Sequence, residues 1–310
     1  MRKILWLAIP LLILAGYLAV RQLSVSNVPF DSELATSTPV QEIEEEKLSI
    51  SISPAKIIQG DPVLITINGV ATSTVKSLTF DGKTLGTFMH DGKPSAMVGI
   101  DLRGRIGSYP VVLTLDDGRK IETKLVVGER VITKEPLGIP EELGGNTPQA
   151  ERELLNTLVK EGAIISAVPT SPTTLWSGAF RLPLNPPITI TDIYGYSRET
   201  GASTISHKGT DFRATVGTLV YAMNSGLVRL TTNMRNYGNV IVVDHGLGLH
   251  TIYMHLSEIL IKNGDAISKG QLIAKSGNTG YVLGPHLHLT IRINGISIDP
   301  MKFMELFDVK

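Results

Sequence analysis

The sequence predicts a mostly β protein: an N-terminal membrane segment, an immunoglobulin-like β-sandwich, a short helical connector, then a C-terminal antiparallel β domain. Three observations predict this. An apolar run follows Arg2 and Lys3; hydrophobic residues then alternate with a period of two in two separate stretches; and one helix-start signal, Thr147-Pro148, stands between them.

The apolar run Ile4 to Val20 has seventeen residues, at the lower end of what spans a bilayer core of about 30 Å. Pro10 interrupts it and it has no polar face, which argues against a buried core helix. Arg21 follows directly and no clear Ala-x-Ala site is present, Ser24-Val25-Ser26 being a poor one. Residues 1–25 therefore read as a signal anchor in preference to a cleaved signal peptide. Positive charge before the run puts everything after it outside, on the periplasmic or cell-wall face. Residues 26–47 carry Pro29, Pro39 and the run Glu44-Glu45-Glu46 with few large apolar residues, which reads as a disordered acidic spacer.

From Leu48, Ile50 and Ile52 alternate with serines, and Val63, Ile65 and Ile67 alternate with Leu64, Thr66 and Asn68. Asp81-Gly82 and Asp117-Gly118 are turn dipeptides between strand-like runs. About seven short strands over 48–128 suggest the sandwich. His90 and Asp91 have no companion ligands there and read as surface polar residues. Residues 129–175 form a connector with a helix over 148–161: Thr147 as N-cap, Pro148 first, Leu154, Leu155 and Leu158 on one face, Gly162 as stop. Residues 176–310 are again strand-rich, with turn signals at Asn263-Gly264-Asp265 and Asn294-Gly295.

Composition narrows the chemistry. The formal net charge is zero, so no basic field marks a nucleic-acid binder. Cysteine is absent, which excludes disulfides, a thiol nucleophile and thiolate metal sites; a metal must be held by His, Asp or Glu.

Six of the seven histidines lie between 207 and 288. His207 and Asp211 form H-x-x-x-D, His286 and His288 form H-x-H, and His255 closes a strand-like run. On a strand, residues two apart share a face, so one imidazole of H-x-H can bind a metal while the other reaches past it. H-x-x-x-D supplies two further ligands from one tight segment, where Gly209 lets the backbone come close. Two neutral imidazoles and one carboxylate leave zinc one net positive charge and an open fourth position, where water becomes a nucleophile. Spacing alone stops at a hydrolytic metal site.

The segments Ser206 to Ala214, Gly238 to Leu256, Lys262 to Gly280 and Gly284 to Pro300 resemble the lysostaphin-type (LytM-like) zinc metallo-endopeptidases of the bacterial cell wall. The likeness includes Tyr253-Met254-His255-Leu256, Gly277-Asn278-Thr279-Gly280 and Asp299-Pro300. It implies one Zn2+ held by His207, Asp211 and His288, with His255 and His286 as the catalytic histidines. Either of these two can be the base. Tyr194 is a candidate oxyanion or substrate contact, with packing as its alternative role; His245 and His250 read as strand and turn histidines.

Three functions compete. The first is a zinc endopeptidase cutting stems or cross-links of peptidoglycan. The second is a latent or non-catalytic regulator of another cell-wall hydrolase, which the full set of five site residues argues against, although the sandwich or the helix could mask the site. The third, an adhesive sandwich protein, leaves the histidines unexplained. The absence of a wall-targeting segment after Asp299-Pro300 tilts the substrate towards cross-links of D-alanine with a diamino acid. The sandwich is expected to position the peptidase domain or to bind a cell-envelope protein.

Overall fold

The alternation that begins after Leu48 builds two facing sheets. In the computed structural model, which describes residues 47–307 apart from 137, 140, 142–143 and 201–202, nine strands run up to Gly128. They are β1 (Ser49–Ser53), β2 (Ile57–Ile58), β3 (Pro62–Asn68), β4 (Val75–Phe80), β5 (Lys83–Thr84), β6 (Phe88–His90), β7 (Lys93–Gly99), β8 (Gly107–Leu115) and β9 (Lys120–Gly128). One sheet has the order β1-β3-β7-β6 and the other β2-β9-β8-β4-β5. Val63, Ile65 and Ile67 of β3 meet Leu78, Leu113 and Leu125 of the opposite sheet in a shared core. Asp81 and Gly82 take left-handed conformations, φ 47° and 76°, as the β4–β5 turn requires. The membrane segment expected over residues 1–25 and the acidic spacer expected over 26–47, residue 47 apart, lie outside the described residues; among the described residues no helix is long and apolar enough to cross a membrane.

The second face of β3 and β7 is buried as well. Leu64 and Met97 enter a different core with Phe180, Phe303 and Phe307. Phe303 and Phe307 belong to the short helix Pro300–Phe307. His90, expected at the surface, instead packs edge-on against Phe307 with ring centroids 5.5 Å apart, because β6 is laid against this aromatic cluster.

A buried ion cluster fastens the same junction. Arg130 reaches Asp61 at 2.9 Å and Asp299 at 3.3 Å, and donates to the Gln59 carbonyl at 2.6 Å. Its side chain is only 12% exposed and that of Asp61 3%. Removing one partner of such a pair strands the other charge, so Arg130→Met should cost about 3–5 kcal/mol of stability. A urea titration of variant against parent checks this.

The connector helix α1 (Pro148–Ser166) starts as expected, with Thr147 Oγ1 accepting from Ala150 N at 3.2 Å and Pro148 in the first turn. It does not stop at Gly162. A glycine inside a helix costs about 1 kcal/mol relative to alanine, and burial of Ile165 against Val240, Val242, Ile252 and Met254 offsets that. The helix ends where Pro169 approaches and disfavours helical geometry at Val168.

The remaining strands are β10 (Lys134–Pro136), β11 (Ile190–Asp192), β12 (Ser197–Thr200), β13 (Ser203–Ser206), β14 (Thr210–Arg213), β15 (Leu219–Tyr221), β16 (Gly226–Met234), β17 (Gly238–Gly246), β18 (Leu249–Ile259), β19 (Ala266–Ile267), β20 (Leu272–Ser276), β21 (His286–Ile293) and β22 (Ile296–Ile298). Ten of them make one antiparallel sheet with the path β11-β14-β21-β18-β17-β16-β19, joined by β15, β20 and β22. β10, β12 and β13 form a small separate sheet beside the first strands of this path.

Candidate active site

Strand pairing brings the predicted ligands together. β14 and β21 are antiparallel with Asp211 opposite His288 and Arg213 opposite His286, so one H-x-x-x-D residue and one H-x-H residue become direct neighbours. His207, in the turn before β14, closes the group. Asp211 Oδ1 lies 2.7 Å from His288 Nδ1 and 3.1 Å from His207 Nε2, and the two ring nitrogens are 3.1 Å apart. These three residues could hold a metal ion.

Backbone acceptors fix the tautomers. A carbonyl oxygen only accepts, so His207 Nδ1 carries the proton it gives to Ile193 O at 2.8 Å, leaving the Nε2 lone pair for the centre. His288 is held the opposite way round. Its Nε2 is 2.9 Å from Thr290 Oγ1, whose hydroxyl donates to the Lys208 carbonyl at 3.0 Å; the hydroxyl can then only accept from His288, and Nδ1 keeps its lone pair. Two lone pairs and a carboxylate facing one another form a donor set that could hold a metal ion. Thr290→Val would release the His288 ring, and metal affinity should fall about 10- to 100-fold by competition with a metal-binding dye.

Gly209 makes room for this arrangement. A Cβ there would lie 2.4 Å from His288 Nε2 and 2.4 Å from the Leu289 carbonyl. The close approach expected at this position is therefore present, against the His288 ring itself.

His255 and His286 flank the group. Their ring centroids are 4.8 Å apart, and His286 Nε2 is 3.6 Å from Asp211 Oδ2. His255 Nδ1 donates to Thr279 O at 2.8 Å and His286 Nδ1 to Gly284 O at 2.9 Å, so each keeps an Nε2 lone pair. His255 reaches the cleft through a local irregularity in β18. Met254 pairs directly with His288, so regular alternation would turn His255 to the opposite face. His255 has φ 60°, and the β18 register shifts between Tyr253 and Leu256 against β17 and between Leu256 and Glu258 against β20. This bulge re-aims the side chain.

Burial governs the charges. His255 is pushed down to about 3, first by burial and then by His286 and His288. His288 is lowered by burial; His207 is raised because its bonds to Asp211 and Ile193 outweigh burial. His288 and His207 together hold Asp211 well below the usual carboxylate range, overcoming its burial.

Tyr194 is not in the cluster. Its hydroxyl donates to Ser297 O at 2.7 Å and the side chain is buried against Arg130, so its proton is engaged in packing the junction and not offered to an oxyanion. The neighbouring residue of the same alternation, Tyr196, lies against His207 with centroids 5.0 Å apart, and Arg198 donates to its hydroxyl at 2.6 Å. Asp192, opposite Asp211 in β11, is raised by burial and by Asp211. The period-two spacing of Tyr194, Tyr196 and Arg198 was the only sequence signal for these groups. His245 is buried, donating to Ser225 O at 2.7 Å, and His250 lies near Pro169 O, both away from the cluster.

The cluster opens into a cleft of about 770 Å3. Its floor is one face of β21; Leu154, Leu155, Leu158 and Val159 of α1 form one wall, and Asp101 to Arg103 reach it from the first sheet pair. Glu161 docks α1 by accepting from the backbone of Asn236 at 3.0 Å and of Tyr237 at 3.3 Å.

The sequence pattern of Peptidase family M23 matches residues 205–300, which contain all five residues of the cluster. Peptidoglycan DD-endopeptidase ShyA of Vibrio cholerae is 47% identical over 96 residues, which is 31% of this chain and 22% of that protein. DD-carboxypeptidase/endopeptidase Mpg of Neisseria meningitidis is 37% identical over 95 residues, 31% of this chain and 22% of that protein. The chain thus spans about a fifth of the length of these curated relatives. A crystal structure of a peptidase M23 from Pseudomonas aeruginosa superposes with a TM-score of 0.60 at 25% identity, covering 80% of this chain and 95% of that one.

Proposed function

We propose that this chain, which belongs to peptidase family M23 through residues 205–300, is a zinc-dependent endopeptidase that hydrolyses peptide bonds in the stems or cross-links of peptidoglycan. One observation carries the reading: four imidazoles and one carboxylate converge on a single cleft, each ring with one nitrogen committed to a neighbour and the other free to face the centre. The donor set suits zinc. Ligands about 2.0–2.1 Å from a tetrahedral ion stand roughly 3.3 Å apart, close to the 2.7–3.1 Å separating these three donor atoms.

Zinc, when bound by His207, Asp211 and His288, supplies Lewis acidity, polarising a carbonyl and making water acidic enough to attack near neutral pH. The chain's own groups do the rest. His286 Nε2 accepts the proton of the attacking water, and Asp211 Oδ2 at 3.6 Å stabilises the imidazolium that forms. His286 then delivers that proton to the departing amine. His255, held neutral by burial, orients the reactants through its Nε2 lone pair. The cleft volume lies within the roughly 300–1,000 Å3 of ligand sites and accommodates an extended peptide.

The remaining layout belongs to the same proposal. Residues 1–25 anchor the chain in the cytoplasmic membrane through Ile4–Val20, 26–47 are a spacer, and the described residues work on the periplasmic or cell-wall side. Residues 48–128 form an immunoglobulin-like sandwich that positions the peptidase domain at 176–310 and offers a surface to a cell-envelope protein. A second reading, a latent regulator of another hydrolase, is favoured by α1 walling the cleft. Digestion of purified peptidoglycan by the full chain, with zinc, with chelator and with His207→Ala, tests both. Zinc-dependent fragments absent from the variant support the endopeptidase; one equivalent of bound zinc without fragments supports the regulator.

A further inference from the structure

The floor of the cleft continues beyond the histidines. His286, His288, Thr290 and Arg292 follow one another at every second position of β21, so they share one face, and all four line the cleft. Arg292 therefore sits about 13 Å along the strand from His288, four residues at about 3.3 Å each. That is the length of roughly four residues of extended peptide.

Arg292 lacks a counter-charge among the described residues. Its Nη1 donates to Ser166 Oγ at 3.2 Å, while Nε is buried with no hydrogen-bond partner. Burial lowers its pKa and only the Tyr237 hydroxyl opposes the shift. No carboxylate meets it from the elements around it. α1 presents Ser166 there and turns Glu161 to the Asn236 and Tyr237 backbone, β22 presents Ser297, and Asp244 in β17 is taken by Arg229 at 3.0 Å. The opposite residue of β18, His250, is itself held in its neutral form by burial.

A guanidinium in a cleft, partly buried and without an anion, is a site for a carboxylate, which it binds with paired N–H donors. We propose that Arg292 anchors a free carboxylate of the peptide substrate, three to four residues from the bond cut, with the peptide lying along β21 beneath α1. This rests on the endopeptidase reading for the identity of the ligand as substrate, but the anchor itself is a binding site.

The probe is a synthetic cross-linked peptide dimer containing D-alanine and a diamino acid, made once with a free C-terminal carboxylate and once as the carboxamide. Binding to the full chain stripped of metal, read by fluorescence anisotropy, should favour the carboxylate form at least tenfold. Arg292→Gln should abolish that preference and leave the carboxamide affinity unchanged; Arg292→Lys should keep part of it. Equal affinities in the parent protein, including no binding of either form, would overturn the anchor. So would a variant that weakens both forms alike while its thermal midpoint stays that of the parent. Should Arg292→Gln fail to fold, Arg292→Met, which keeps the apolar stem and removes the charge, takes its place, and an undiminished preference for the carboxylate there would overturn the anchor as well. Peptidoglycan digestion reads the other proposal separately: fragments without a carboxylate preference keep the peptidase and remove the anchor, and the converse result does the opposite.

Discussion

Asp211→Ala should leave the chain without its metal and, with it, without hydrolytic activity. Asp211 is the hub of the cluster, its Oδ1 within 2.7 Å of the His288 ring and 3.1 Å of the His207 ring. It also supplies the only negative charge among the three donors, and a cation held by two neutral imidazoles alone is bound much more weakly. His255→Ala and His286→Ala should behave differently. Neither belongs to the His207, Asp211 and His288 group, so each variant should retain one equivalent of metal while its rate falls about 10²- to 10⁴-fold, the range for losing a positioned proton-transfer group. Metal analysis of the purified variants beside peptidoglycan digestion separates the two classes. Loss of metal in His286→Ala would place that residue among the ligands.

Acid should unfold the metal-free protein unusually early. His245 is pushed down to about 4 and His255 to about 3 by burial, against 6.5 for an exposed histidine. Between those values the unfolded chain takes up protons that the folded chain refuses. Stability is therefore fully present above pH 6.5 and lost as pH falls towards 4. Each site contributes up to about 1.4 kcal/mol per pH unit, so two of them remove about 5 kcal/mol over two units. His207, which is raised, returns part of this. Urea midpoints at pH 7, 6 and 5 in the presence of chelator check the slope, and His245→Gln should make it shallower. A flat profile would mean that these rings protonate in place. With metal bound the acid sensitivity persists, because protonation of His207 or His288 competes directly with coordination.

Much of the local structure was legible in the sequence because it depends on short-range rules. Ile50, Ile52, Val63 and Ile65 alternate into strands, Asp81-Gly82 makes a left-handed turn, and Thr147-Pro148 starts α1. The stop expected at Gly162 fails because the force that carries α1 onward is tertiary, the burial of Ile165 under β17 and β18. For the same reason the second buried face of β3 was not visible: Leu64 alternates correctly, and it is the docking of a second core, Phe303 and Phe307 included, that covers it. The histidine spacing pointed to one cluster, yet the cross-strand pairing of Asp211 with His288 and the bulge at His255 depend on register, which spacing does not contain. Tyr194 and Tyr196 are equivalent in a sequence pattern. Only the hydrogen bond to Ser297 and the ring contact with His207 separate them.

The placement of His286, His288, Thr290 and Arg292 on one strand has a consequence for biogenesis. A slip of a single residue between β14 and β21 would turn all four side chains to the opposite face at once and part Asp211 from His288. Partial competence is then not accessible: a chain trapped in a neighbouring register holds no half-built cluster. Folding thus works as an interlock: the five residues of the cluster converge only once the last long strand has settled in its register.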